Sequence, residues 1–106
     1  MDSESIEAVR AAPDFAFLTS YGKTLLLIAD DPRIRMRDIA DRLNVTERAA
    51  QRIVAELARA GYVDRQREGR RNRYSIRHDL PLGLPLPRDV EIGALVTILP
   101  TSNGSS

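Results

Sequence analysis

Arg37-Asp38-Ile39-Ala40-Asp41-Arg42-Leu43-Asn44-Val45-Thr46-Glu47-Arg48-Ala49-Ala50-Gln51-Arg52-Ile53-Val54-Ala55-Glu56-Leu57 is the stretch on which the fold turns. Met36, Ile39, Ala40 and Leu43 recur at i, i+3, i+4 and i+7, the spacing of a short amphipathic helix. Leu43-Asn44-Val45 is a tight connection, and Asn tolerates turn geometry. Thr46 is a good N-cap, and Glu47 suits the positive end of the helix that follows. Ala50, Val54 and Leu57 fall on one face of that helix, Ile53 flanks it, and Gly61 supplies a C-terminal stop. Bracing through Ile39, Leu43, Ala50 and Val54 leaves the opposite face open. At about 100° per residue, Arg48, Arg52, Ala55 and Arg59 point away from the apolar stripe, with Gln51 beside them.

Working outward towards the N-terminus, Thr19 or Ser20 can cap an earlier helix through Tyr21, Leu25 and Ile28. Leu25-Leu26-Leu27-Ile28-Ala29 is apolar nearly all round and needs cover on more than one side. Asp30-Asp31-Pro32 ends that helix, because the residue before proline resists the α region. Residues 1–14 are small, polar and acidic and read as a loosely held arm.

Towards the C-terminus the periodicity switches from helical to alternating. Tyr62 to Arg67 and Asn72 to Arg77 read as strands around a tip, Glu68-Gly69-Arg70-Arg71, with Tyr74 and Ile76 on the core side. Residues 80–87 carry three prolines among leucines and predict a stiff, extended connector. Asp89 can cap a last segment, 88–99, in which Ile92, Leu95, Val96 and Leu99 keep helical spacing. Gly93 and the β-branched residues leave a strand open there. Residues 100–106 are expected to be disordered.

A chain of 106 residues has the length of one domain, placed here at 15–79. No apolar run approaches the roughly 20 residues of a membrane helix. Met1-Asp2-Ser3-Glu4 does not read as a secretory start, so a cytoplasmic location is expected. With no cysteine and one histidine, neither a disulfide nor a thiolate or multi-histidine metal site is expected. The net charge of +1 conceals its distribution: residues 33–77 hold thirteen arginines against six acids, a local +7 between acidic ends. From Arg65 to Arg77 six arginines meet one acid on the ribbon alone. That pattern suits a polyanion, and arginine forks suit phosphate and guanine edges.

Helix, short helix, turn, longer helix and basic hairpin is the order of an α+β winged helix-turn-helix. Arg37-Asp38-Ile39-Ala40-Asp41-Arg42-Leu43, then Val45-Thr46-Glu47-Arg48-Ala49-Ala50-Gln51-Arg52-Ile53-Val54, then Leu57-Ala58-Arg59-Ala60-Gly61-Tyr62-Val63 resembles the core of MarR-like and ArsR-like bacterial transcription regulators. Gly69-Arg70-Arg71-Asn72-Arg73-Tyr74 is similar to their wing. The resemblance implies sequence-specific binding to double-stranded DNA, with Thr46, Arg48, Gln51 and Arg52 in the major groove. It places Arg70, Arg71, Asn72 and Arg73 of the wing on phosphates or in the minor groove. It also implies a homodimer and the possibility of a small-molecule effector. The chain lacks the cysteines and histidines of metal-sensing ArsR-like members and has little room for the long dimerisation helices of MarR-like ones. Arg35 stands where a Ser or Thr cap would usually open the second helix.

Other readings compete at each point. The open arginine face could be a solvated surface only. Winged helices can also serve as protein-interaction modules without DNA, and an RNA-binding adaptor is a third reading. Tyr62 and Tyr74 could stack on bases, but alternation places Tyr74 with Ile76 in the core; Asp30-Asp31 is better explained as a helix stop, and His78 reads as a surface residue. No serine, cysteine or lysine has a base beside it in a motif, so neither an enzyme nor a cofactor is expected. For assembly, Leu25, Leu26 and Leu27 with Ile92, Leu95, Val96 and Leu99 offer apolar surface for a dimer interface. The competing reading folds the tail over its own first helix.

Overall fold

The computed structural model describes residues 16–100. The expected N-terminal arm and all of the expected tail except Pro100 lie outside the described residues. The order is α1 (Ser20–Asp30), α2 (Met36–Leu43), α3 (Glu47–Arg59), β1 (Val63–Glu68), β2 (Arg71–Ile76) and α4 (Gly93–Val96). This is the α+β arrangement of a winged helix-turn-helix.

Local chemistry sets the helix ends. Thr19 Oγ1 accepts the Gly22 amide at 3.2 Å and opens α1. Asp31 Oδ1 then accepts the Arg33 amide at 3.1 Å as the chain turns through Pro32. α2 starts without a side-chain cap, since Arg35 occupies the capping position. It ends on Asn44 at φ 61°, with the Val45 amide donating to the Ala40 carbonyl and the Asn44 amide to that of Asp41. Such paired bonds across a left-handed residue satisfy carbonyls that a helix end would otherwise strand. α3 opens on Thr46, whose Oγ1 accepts the Ala49 amide at 3.0 Å. It closes in the same way as α2, with Gly61 at φ 91° and the Tyr62 amide on the Leu57 carbonyl. Glycine takes that φ at no steric cost.

The core gathers one face from each element: Leu25 and Ile28 of α1, Ile39 and Ala40 of α2, Ala50, Val54 and Leu57 of α3, Val63 of β1 and Tyr74 of β2. The hairpin register runs from Val63 opposite Ile76 to Glu68 opposite Arg71. Its tip is therefore Gly69-Arg70, two residues shorter than the alternation suggested. Positive φ at Gly69 but not at Arg70 is the pattern of a type II′ turn. The Tyr74 amide donates to the Pro32 carbonyl at 2.8 Å and ties β2 to the loop between α1 and α2.

The C-terminal segment departs from expectation. Only Gly93–Val96 is helical, a single turn. The connector does not stay extended: Pro81 and Glu91 form an antiparallel bridge, and the Leu82 amide donates to the Val90 carbonyl at 2.9 Å. Asp89 does not cap a helix. Its carboxylate accepts the amides of Gly83 at 2.9 Å, Leu84 at 3.0 Å and Val90 at 2.7 Å, closing the proline loop. Prolines remove donors from this stretch, and one carboxylate collects several of the amides that remain.

The loop delivers Ile92 into the same core at 4% exposure, with Leu95 packed against that core and α4 against α1. Tyr62 Oη donates to the Pro81 carbonyl at 2.7 Å and fastens the loop to the end of α3. Leu25 is likewise buried, at 3% exposure. Leu25 and Ile92, expected at a dimer interface, are thus interior residues of one chain, and a second copy could reach them only by opening the domain. Leu26, Leu27, Leu95, Val96 and Leu99 remain half-buried.

Candidate nucleic-acid interface

A groove of about 1080 Å³ separates α3 from the wing. Its α3 wall is built by Gln51, Ala55, Ala58 and Arg59, and its opposite wall by Arg65, Arg70, Arg71 and Asn72. The α1–α2 loop closes one side with Arg33, Ile34 and Arg35. Six arginines therefore share this groove with one acid, Asp64. Six guanidinium groups against one carboxylate give the groove a cationic lining.

The residues singled out from sequence divide between two places. Gln51, Arg70, Arg71 and Asn72 line the groove. Thr46, Arg48, Arg52 and Arg73 do not, although all four are exposed. Thr46 spends an acceptor position of its hydroxyl on the Ala49 amide, so its first role is to start α3. Arg52 lies on the flank facing α1. There Tyr21 Oη donates a short hydrogen bond to Glu56 Oε1, and this bond raises the phenol above its ordinary pKa while the Arg52 charge works to lower it.

The wing arginines also differ among themselves. Arg70 makes no hydrogen bond or ion pair with any other described residue and offers its guanidinium to solvent at the tip. Arg71 Nη2 donates to the Arg33 carbonyl at 2.6 Å, so this side chain braces the wing against the α1–α2 loop. Arg73 Nη1 lies 3.6 Å from Glu68 Oε2, and Arg33 Nη2 lies 3.3 Å from the other oxygen of the same carboxylate.

Sequence reasoning did not name Arg33, Arg35 or Arg65 as candidate contacts, and it used Arg59 only to define the open face. The signal for the loop was present in Arg33-Ile34-Arg35-Met36, where exposed arginines alternate with half-buried apolar residues. Alternation over four residues is too short to show which way a loop faces. The hydrogen bonds from Arg71 to the Arg33 carbonyl and from the Tyr74 amide to the Pro32 carbonyl decide it. Among the described residues no group of three or more His, Cys, Asp or Glu side chains could hold a metal ion.

Residues 21–73 match the model of the MarR family. A riboflavin kinase of Thermococcus kodakarensis is 40% identical over 58 residues, which are 55% of this chain and 26% of that protein. Among solved structures, a variant of Lactococcus lactis ZitR superposes with a TM-score of 0.50 at 17% identity, over 64% of this chain and 48% of that one. The zinc-dependent MarR family transcriptional regulator AdcR, in its Zn(II)-bound state, gives 0.45 at 17% identity, over 72% of this chain and 59% of that one. The chain thus spans about a quarter of the kinase and about half of ZitR.

Proposed function

The chain belongs to the MarR family, and from that membership we propose that it is a sequence-specific regulator of transcription that binds double-stranded DNA. The observation that carries this reading is the groove between α3 and the wing, where six arginines face a single aspartate. A major groove admits one helix. With α3 seated in it, Arg48 and Gln51 lie within reach of base edges, Arg52 follows on the flank beside Tyr21, and Thr46 holds the start of the helix. The wing then runs along the backbone, with Arg70 at its tip, Arg71 and Asn72 on the groove wall and Arg73 on the outer side.

A homodimer is part of the proposal, reading two half-sites about 34–36 Å apart. Its interface would use surface still open in the single chain, above all Ile98 at 62% exposure, with the half-buried Leu26, Val96 and Leu99. A small-molecule effector and a cytoplasmic location fit a regulator of this kind. No described helix is long and apolar enough to cross a membrane.

Kinase chemistry is not proposed. Gly22-Lys23-Thr24 is spelled like the end of a phosphate-binding loop, but Phe17 stands where that motif needs its first glycine. The three residues lie inside α1, where Thr24 is fully buried and its hydroxyl donates to the Ser20 carbonyl at 2.7 Å.

Selection of bound duplexes from a random pool, followed by titration across a range of salt, tests the reading. A recurring sequence should emerge, and log affinity should fall with log salt by about 0.9 for each phosphate neutralised. A shallow slope with no enriched sequence would point instead to a protein-docking winged helix.

A further inference from the structure

We infer that the corner where the wing meets the α1–α2 loop is a site for a backbone phosphate of duplex DNA, and that Glu68 occupies it as the chain's own competing anion. The inference deepens the DNA-binding reading above and rests on it. Two guanidinium groups from separate elements, Arg33 of the loop and Arg73 of β2, converge on the two oxygens of one carboxylate. Carboxylate and phosphate are the two anions that arginine forks recognise interchangeably.

The contacts, 3.3 Å and 3.6 Å, exceed the roughly 2.7–2.9 Å of tight charge-assisted hydrogen bonds. Glu68 therefore bridges the pair without bonding closely to either member. The side chains are open to solvent, 54% for Arg33, 53% for Arg73 and 37% for Glu68, so an incoming anion can reach them and displacement is cheap.

The frame of the site does not depend on Glu68. Arg71 holds the Arg33 carbonyl at 2.6 Å and the Tyr74 amide holds that of Pro32 at 2.8 Å, so the two guanidinium groups keep their backbone support when the carboxylate leaves. Arg33 and Arg71 also line the groove beside α3, which puts this corner on the rim that a seated duplex would pass. The consequence is selectivity. Two of the cations nearest the wing share one compensating carboxylate in the free protein, which lowers their joint charge from +2 to +1 and weakens attraction to any polyanion. They are released only where other contacts already hold the duplex against the rim.

The test compares the full chain, Glu68→Gln, and Glu68→Gln combined with Arg33→Ala and Arg73→Ala, on random-sequence duplex between about 50 and 200 mM salt. Glu68→Gln should bind about threefold to tenfold more tightly, with a salt slope steeper by about one to two. The triple variant should lose that gain. A gain that survives removal of both arginines would reflect the missing negative charge at large and would overturn the site. Unchanged or weaker binding by Glu68→Gln would make Glu68 a strut of the wing, with the same consequence. Side-chain NMR of Arg33 and Arg73 in the unaltered protein gives a readout independent of the substitutions. Duplex should shift both signals and millimolar inorganic phosphate should not, while saturation by inorganic phosphate would overturn the assignment to DNA. An unaltered protein with no affinity for any duplex would remove the DNA-binding reading itself.

Discussion

Neighbouring side chains do different work here, and position along α3 and the wing decides which. Gln51 lines the groove, whereas Arg52 stands on the flank beside Tyr21 and Glu56. If the duplex enters from the groove side, Gln51→Ala should cost about 1–3 kcal/mol on the preferred site and flatten preference at one or two base pairs. Arg52→Ala should weaken preferred and random duplexes more evenly, because its side chain stands on the flank beside Tyr21 and not in the groove. Binding assays on both duplexes check this, and the opposite ranking would mean that DNA approaches over the Tyr21 flank. Residue types alone could nominate Arg48, Gln51, Arg52 and the wing arginines. They could not show that Arg71 is spent on a backbone carbonyl or that Arg73 shares an acid with Arg33, since both contacts bridge distant parts of the chain.

Elements whose ends are fixed by local chemistry were the legible ones. Thr46, Asn44, Gly61 and the Gly69 turn act within a few residues of themselves, so the second and third helices and the hairpin could be placed from spacing and cap types. The proline loop behaves differently, because Asp89 gathers amides from residues five and six positions earlier. Those hydrogen bonds, from Leu84 first and then Val90 and Gly83, hold the Asp89 carboxyl below its ordinary pKa. A carboxylate with a depressed folded-state pKa stabilises fully above its unfolded value and loses that contribution as pH falls through the folded one. The loop should therefore loosen only under acid conditions below the usual aspartate range. Amide exchange at Gly83 and Leu84 followed against pH should show protection lost there, and Asp89→Asn should show much of the same loss near neutral pH. Equal protection in Asp89→Asn would transfer the loop's order to its prolines.

At the scale of the whole molecule, the tail completes the domain before it can serve any partner. Ile92 is a core residue, so Ile92→Ala should lower stability by about 2–5 kcal/mol in thermal or denaturant unfolding. Ile98, at 62% exposure, carries no such load. Ile98→Asp should leave the melting temperature nearly unchanged while light scattering reports a smaller species, if the proposed dimer uses this surface. A full-length protein that is monomeric at micromolar concentration and still binds its site tightly would count against the dimer. Loss of folding in Ile98→Asp would show instead that the tail seals its own domain out to that residue.

By itself the sequence determined the helix-turn-helix, the wing and the sign of the surface they share, because period, caps and charge clusters act over a few residues and survive any packing that forms a core. The destination of the apolar tail was a matter for the tertiary structure. Ile92, Leu95, Val96 and Leu99 satisfy helical spacing equally well in a helix, in a single turn behind a loop, or against a second chain. What chose among these was the uncovered side of α1 and the hydrogen bonds of Asp89 and Tyr62, which exist only once residues far apart in the chain are brought together. The groove was decided in the same way. Its arginines come from the α1–α2 loop, α3, both strands and the turn between them, and no local pattern records that they meet.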